Sequence, residues 1–186
     1  MKKLITSKTT SSKFVIEAIE FSNNGILDSL TGAPAPKLFF DNLAREISRS
    51  RRSSQPIAIM TIKLLSEDTE SGINNKSKRV KKPSSNQISQ RALEFEKLLA
   101  QLNNSINSNM RGSDFYSRIA ENGFWLCLHG DLAQAISTAK RFEEIISQKF
   151  MTTNANAQLE FFSSEWKRNL DANEWISEID RQYFAS

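Results

Sequence analysis

Cysteine and histidine are almost missing from this chain: of 186 residues, one is a cysteine, Cys127, and one a histidine, His129. A single cysteine excludes an internal disulfide, and inside an apolar run it reads as a small core hydrophobe. A single histidine excludes a histidine-rich metal site. Long apolar runs are lacking too. No stretch approaches the roughly 18 apolar residues of a membrane span, and no apolar segment of the signal-peptide kind follows Lys2 and Lys3. A cytoplasmic chain is expected on these grounds. Nor is there a large excess of either charge: 25 basic and 21 acidic residues leave +4, too little to point to nucleic acid. No internal repeat is visible.

What is present fits one globular domain. Hydrophobic residues make up 39% and charged residues 25%, and the length allows a real core. The best organised stretch runs from Arg111 to Leu128. Two apolar-rich runs, Phe115 to Ile119 and Phe124 to Leu128, flank Glu121-Asn122-Gly123, and Asn-Gly between β-type runs is a strong hairpin signal. Long helical patterns on either side predict that this hairpin sits at the centre of a sheet.

Residues 1–13 are rich in Lys, Ser and Thr and are expected to be disordered. Phe14, Ile16, Ala18, Ile19 and Phe21 predict a short helix that ends at Asn23-Asn24-Gly25. After a Pro- and Gly-rich turn, Pro36 suits a helix start, and Leu38, Phe39, Leu43 and Ile47 give that helix its apolar face to about Arg52. Gln55-Pro56 ends it. Ile57 to Ile62 is nearly all apolar, as in a strand buried on both faces. Residues 66–87 hold the basic cluster Lys76 to Lys82 and read as a loop insertion, since no aromatic is interleaved with the charges. Ile88 to Asn109 predicts a helix buried through Leu93, Leu98, Leu99, Leu102 and Ile106. Asp131 caps a further helix to Phe150, packed through Ile136, Ala139, Phe142, Ile145 and Ile146. Gln158 to Phe162 is a strand, and the last helix, from Asp171, buries Trp175, Ile176, Ile179 and Tyr183. Helices alternating with strands around one hairpin predict an α/β (α+β) sandwich, ferredoxin-like in outline. Trp166 and Trp175 are expected to pack, Arg118 to form a structural ion pair, and His129 to be structural, having no visible catalytic partner.

Several motifs in order resemble GGDEF domains, the diguanylate cyclases, over residues 14–186. Asp28-Ser29-Leu30-Thr31-Gly32 is similar to their D-x-L-T-G turn. Arg111, Asp114 and Arg118 fit the R-x-x-D-x-x-x-R run before their signature, which falls on Ala120-Glu121-Asn122-Gly123-Phe124. Ala139-Lys140-Arg141 resembles an A-E-R on the following helix, and Asp180 to Tyr183 resembles the family's last helix. The resemblance implies a cyclase-palm sheet with the hairpin at its heart.

It also implies lost chemistry. Family cyclases join two GTP molecules with two metal ions held by carboxylates. The first-strand metal aspartate corresponds to Lys63 and the second acid there to Leu65. The signature's metal acid corresponds to Asn122 and its neighbour to Gly123. The Gly-Gly that lets backbone approach nucleotide corresponds to Ala120-Glu121. The guanine-reading asparagine corresponds to Ala35 and the terminal phosphate-binding lysine to Ser186. A cation at a metal position repels what it should attract. The expectation is a degenerate domain with no cyclase activity, no metal and no cofactor.

The positions that remain are those of the family's inhibitory site for cyclic di-GMP: Arg111, Asp114 and Arg141. Arginine forks suit phosphates and stack on guanine, and an aspartate accepts from the guanine edge. Two functions follow from the resemblance: a cyclic di-GMP receptor that signals to a protein partner, a second copy of the chain included, or an interaction module that binds no nucleotide. Asp114 pairing locally in a solvated turn is the structural alternative at this site.

Overall fold

The computed structural model describes residues 19–66, 85–152 and 157–185. Among them, helices and strands follow in the order α1 (Pro36–Ser53), β1 (Ile57–Ser66), α2 (Ser85–Asn109), β2 (Phe115–Ala120), β3 (Gly123–His129), α3 (Leu132–Thr152), β4 (Ala157–Glu165) and α4 (Ala172–Ala185). The strands form one antiparallel sheet in the order β2-β3-β1-β4. From β1 to β4 this is the expected β-α-β-β-α-β arrangement, with α1 before it and α4 after it. The hairpin is not wholly central. It supplies one inner strand, β3, and one edge strand, β2; the other inner strand is β1, whose apolar run suits burial on both faces.

Alternation along the inner strands divides the core in two. Ala58, Met60, Ile62 and Leu64 of β1, with Phe124, Leu126 and Leu128 of β3, pack under α2 and α3. Ile57, Ile59, Trp125 and Cys127 point the other way, against Phe39, Leu43 and Ile47 of α1 and Trp175, Ile179 and Tyr183 of α4. Each large apolar side chain buried in this way contributes about 1.5–3 kcal/mol. Trp166 and Trp175 pack as expected. Burial pushes the Cys127 thiol far above its ordinary range, consistent with a core hydrophobe.

Three helix faces differ from expectation by one residue or two. On α1, Leu38 is 39% exposed while Phe39, Leu43 and Ile47 are buried. Leu93 is 53% exposed, and α2 packs instead through Ala92, Phe95, Leu99, Leu102 and Ile106. Ile136 is 45% exposed, and α3 packs through Ala135, Ala139, Phe142, Ile146 and Phe150. The corrected sets keep the three-and-four spacing of a helical stripe. Docking on the sheet decides which stripe is chosen, and the apolar residues alone left that open. Asp131 caps α3 as expected, its carboxylate accepting from Gln134 N at 2.8 Å.

Residues 19–35 are not helical. They fold as a loop with short bridges between Asn23 and Asp28 and between Leu27 and Pro34. The expected helix therefore does not extend over Ile19 and Phe21, and Phe14 to Ala18 lie outside the described residues. So do residues 1–13 and the Lys76 to Lys82 cluster, while α2 begins at Ser85 rather than near Ile88. Among the described residues no helix is long and apolar enough to cross a membrane.

One buried ion pair fastens this loop to the hairpin. Arg118, fully buried on β2, donates from Nη1 to both carboxylate oxygens of Asp28 at 3.0 Å. Its Nη2 donates to the carbonyls of Glu20 and Glu121 at 2.9 and 2.7 Å. Asp28 also accepts from the Thr31 amide and hydroxyl, closing the turn in which Gly32 takes a φ of +73°. The expected structural role of Arg118 is thus observed. Removing one partner of a buried pair leaves the other charge uncompensated. Asp28→Ala should lower the unfolding free energy by about 3–5 kcal/mol in urea titrations. The Asp28→Leu/Arg118→Met double substitution should recover only part of that loss, because the Thr31 amide and the Glu20 and Glu121 carbonyls still lose their partners.

Candidate functional site

The hairpin tip and the ends of β1 and α4 meet on one side of the sheet. Lys63 stands in a cross-strand row between Gly123 of β3 and Glu160 of β4, on the face covered by α4. Its ammonium donates to the Tyr183 carbonyl at 3.0 Å and lies 5.3 Å from the centre of the Tyr183 ring. Desolvation lowers the Lys63 pKa, and the nearby Glu160 carboxylate partly opposes this. Tyr183 in turn donates its hydroxyl to Asn122 Oδ1 at 3.1 Å, and burial pushes that phenol far up. Lys63 and Asn122, far apart in sequence, therefore meet on one tyrosine.

Asn122 is built into the sheet. Its carbonyl accepts from Leu64 N at 2.8 Å, and its Nδ2 donates to Leu64 O at 3.0 Å. The side-chain amide thus adds one more rung to the β1–β3 ladder. The sequence reads Glu121-Asn122-Gly123 as the turn. In fact Glu121 and Asn122 form the turn, and Gly123 opens β3 without a positive φ. Its missing side chain serves another purpose: a Cβ there would run into the Tyr183 hydroxyl and the Ile62 carbonyl. Ala120 and Phe124 are core residues on either side of the tip, and Glu121 gives its carbonyl to Arg118. Ala35 is buried as the residue before α1, Leu65 lies on β1, and Ser186 is outside the described residues.

Divalent metal does not fit the Lys63 and Asn122 positions. An ammonium, a carboxamide already bonded at both ends and a protonated phenol offer no anionic oxygen to a hard cation. The neighbouring Glu160 carboxylate is a single acid facing the Lys63 cation across the strands. The polar atoms that meet here hold the C-terminal helix against the tip.

At the opposite end of the sheet lie Arg111, Asp114 and Arg141. Arg111 is exposed, with no side-chain hydrogen bond or ion pair among the described residues. Arg141, on α3, donates to the carbonyl of Asn109, two residues before Arg111. The two arginines therefore flank the same turn. Asp114 is engaged elsewhere. Its side chain is 7% exposed, and Oδ1 accepts from the His129 amide at 3.0 Å, lies 3.4 Å from His129 Nδ1 and accepts from the Ser113 hydroxyl at 3.3 Å. His129 Nε2 meets Glu46 Oε2 of α1 at 3.0 Å. His129, read as lacking a partner, has two carboxylate partners, and a cleft of about 770 Å³ opens beside it, lined by Glu46, Arg49, Ser113, Asp131 and Gln134 among others. Glu46 was missed because no local spacing links positions 46, 114 and 129.

The tip yields a direct stability test. Gly123→Ala should cost about 1–3 kcal/mol through overpacking against Tyr183 and the β1 backbone. In chemical denaturation it should show a lower midpoint at an unchanged slope.

No protein-family model matches this chain, and no curated protein matches it. Solved structures do. The GGDEF domain of DgcB from Caulobacter crescentus, in complex with c-di-GMP, superposes with a TM-score of 0.65 at 15% identity, over 90% of this chain and 92% of that one. The FimX GGDEF domain from Pseudomonas aeruginosa gives 0.61 at 16% identity, over 83% and 89%. Diguanylate cyclase SiaD of Pseudomonas aeruginosa, in complex with its activator SiaC, gives 0.60 at 16% identity, over 84% of this chain and 55% of SiaD. The ferredoxin-like sheet, the loop pinned through Asp28 and the hairpin tip are thus carried on the fold of GGDEF domains.

Proposed function

We propose that this chain is a catalytically inactive GGDEF-like signalling domain that binds cyclic di-GMP at Arg111, Asp114 and Arg141 and relays occupancy to a protein partner. Lys63 carries the first half of that conclusion. Its ammonium is tied to the last turn of α4, and the motif resemblance sets it against the metal-binding aspartate of the cyclases. Coulomb repulsion there opposes the very charge that phosphoryl transfer must bind.

The ligand-binding half is supported by the two arginines. Both flank one turn, and Arg111 is exposed and unengaged among the described residues, as a side chain waiting for an anion would be. Cyclic di-GMP offers two phosphates and two guanine faces to such groups. DgcB was solved with c-di-GMP and SiaD with a protein activator, so both kinds of partner occur on this fold.

A second reading is favoured by one observation: Asp114 is already bonded to His129. A domain whose aspartate is permanently engaged would bind no nucleotide and serve only as a protein-interaction surface. Isothermal titration separates the two. Cyclic di-GMP should release or absorb measurable heat with the full chain at tens of micromolar, and Arg111→Ala should weaken binding about tenfold or more, the usual effect of losing a charge-assisted contact. An absence of heat with the unsubstituted chain would leave the interaction module as the function.

A further inference from the structure

His129 is the only histidine of the chain, and its ring is held at both nitrogens by acids from different parts of the fold. Asp114 comes from the turn before β2, and Glu46 from α1. The ring is 27% exposed, whereas the two acids are 7% and 19% exposed. Solvent protons reach the imidazole while the carboxylates stay shielded.

The two protonation states of such a ring cannot make the same contacts. An imidazolium has two N–H donors and satisfies both carboxylates at once. A neutral ring has one donor and one lone pair. The Glu46 contact, at 3.0 Å, is the shorter, so the remaining proton belongs on Nε2. Nδ1 then turns its lone pair toward Asp114 Oδ1, and attraction becomes repulsion. Asp114 keeps only the His129 amide and the Ser113 hydroxyl.

Resting on the reading that cyclic di-GMP binds at Arg111, Asp114 and Arg141, we infer that His129 is a proton-operated latch on Asp114. Protonated, the ring neutralises and holds the carboxylate that the ligand's guanine needs. Deprotonated, it frees that carboxylate to accept from the ligand. The other charged groups around the ring leave this logic intact. On α1, Arg49 lies 3.7 Å from Glu46 Oε1 and shares that acid with the ring. At the start of α3, Asp131 lines the same cleft but is committed to Gln134 N. On β3 itself, the buried Cys127 thiol stays neutral.

Linkage makes the effect reciprocal: a ligand that prefers the neutral ring must expel a proton when it binds the protonated chain. Titration calorimetry on the full chain at about pH 5 and about pH 8, the limits between which an imidazole ordinarily changes charge, should show cyclic di-GMP bound about fivefold or more tightly at the higher pH. At intermediate pH the heat should vary with the ionisation enthalpy of the buffer, reporting proton release. In His129→Gln both effects should vanish while binding persists. Should that variant fold poorly, the ring signals of the single histidine can be followed by NMR in the unsubstituted chain, where saturating ligand should move their titration midpoint to lower pH. Equal affinity at both pH values, or pH dependence retained in His129→Gln, would overturn the latch and leave ligand binding standing. No binding at any pH would remove the receptor reading and the latch together.

Discussion

Arg118 and Asp28 form the contact on which the architecture around the tip depends. A guanidinium wholly removed from water is costly unless each of its strong donors finds an acceptor. Here one terminal nitrogen takes both oxygens of Asp28 and the other takes two backbone carbonyls, from Glu20 and Glu121, while the buried Nε is left without a partner. The pair joins residues ninety positions apart and fixes three things together: the loop ahead of α1, the edge strand β2 and the turn at the hairpin tip. Neighbouring bonds reinforce it. Ser117 donates to the Pro34 carbonyl, and Asn103 of α2 links the Thr31 carbonyl to the Tyr116 hydroxyl.

Held in that frame, the tip is knit together by its own polar groups. The Lys63 ammonium, the Asn122 amide and the Tyr183 phenol are arranged around one another, each bonded to backbone or to the next side chain. An internal cation supplies positive charge on a fixed tether and needs no carboxylate ligands. A buried amide completes a ladder rung by donating to the Leu64 carbonyl, which a carboxylate could not do. The same groups dock α4 against the tip.

Much of this fold is legible in the sequence, for reasons that can be named. The continuous apolar run of β1, Pro36 at the start of α1, Asp131 capping α3 and Arg118 as an ion-pair partner are local signals, and the structure bears them out. The misses are tertiary. Whether α2 turns Leu93 or Phe95 inward depends on the sheet beneath it, as does the choice between Ile136 and Ala135 on α3. Gly123 looked like a turn glycine, but the crowding that requires it comes from Tyr183, sixty residues away. Asp114 could be placed beside Arg111 from spacing, but its engagement by His129 and the link to Glu46 could not, because no periodicity connects these three elements.

The central claim is that the hairpin tip carries structure where the fold elsewhere carries phosphoryl-transfer chemistry. Its most direct test is chromatographic detection of cyclic di-GMP after prolonged incubation of the full chain with GTP and Mg²⁺. With an ammonium, an amide and a phenol bonded together at the tip, no product should accumulate above the protein-free control. Product that grows with protein concentration would contradict the account, since it would require metal and two nucleotides to be held where an ammonium, an amide and a phenol now meet.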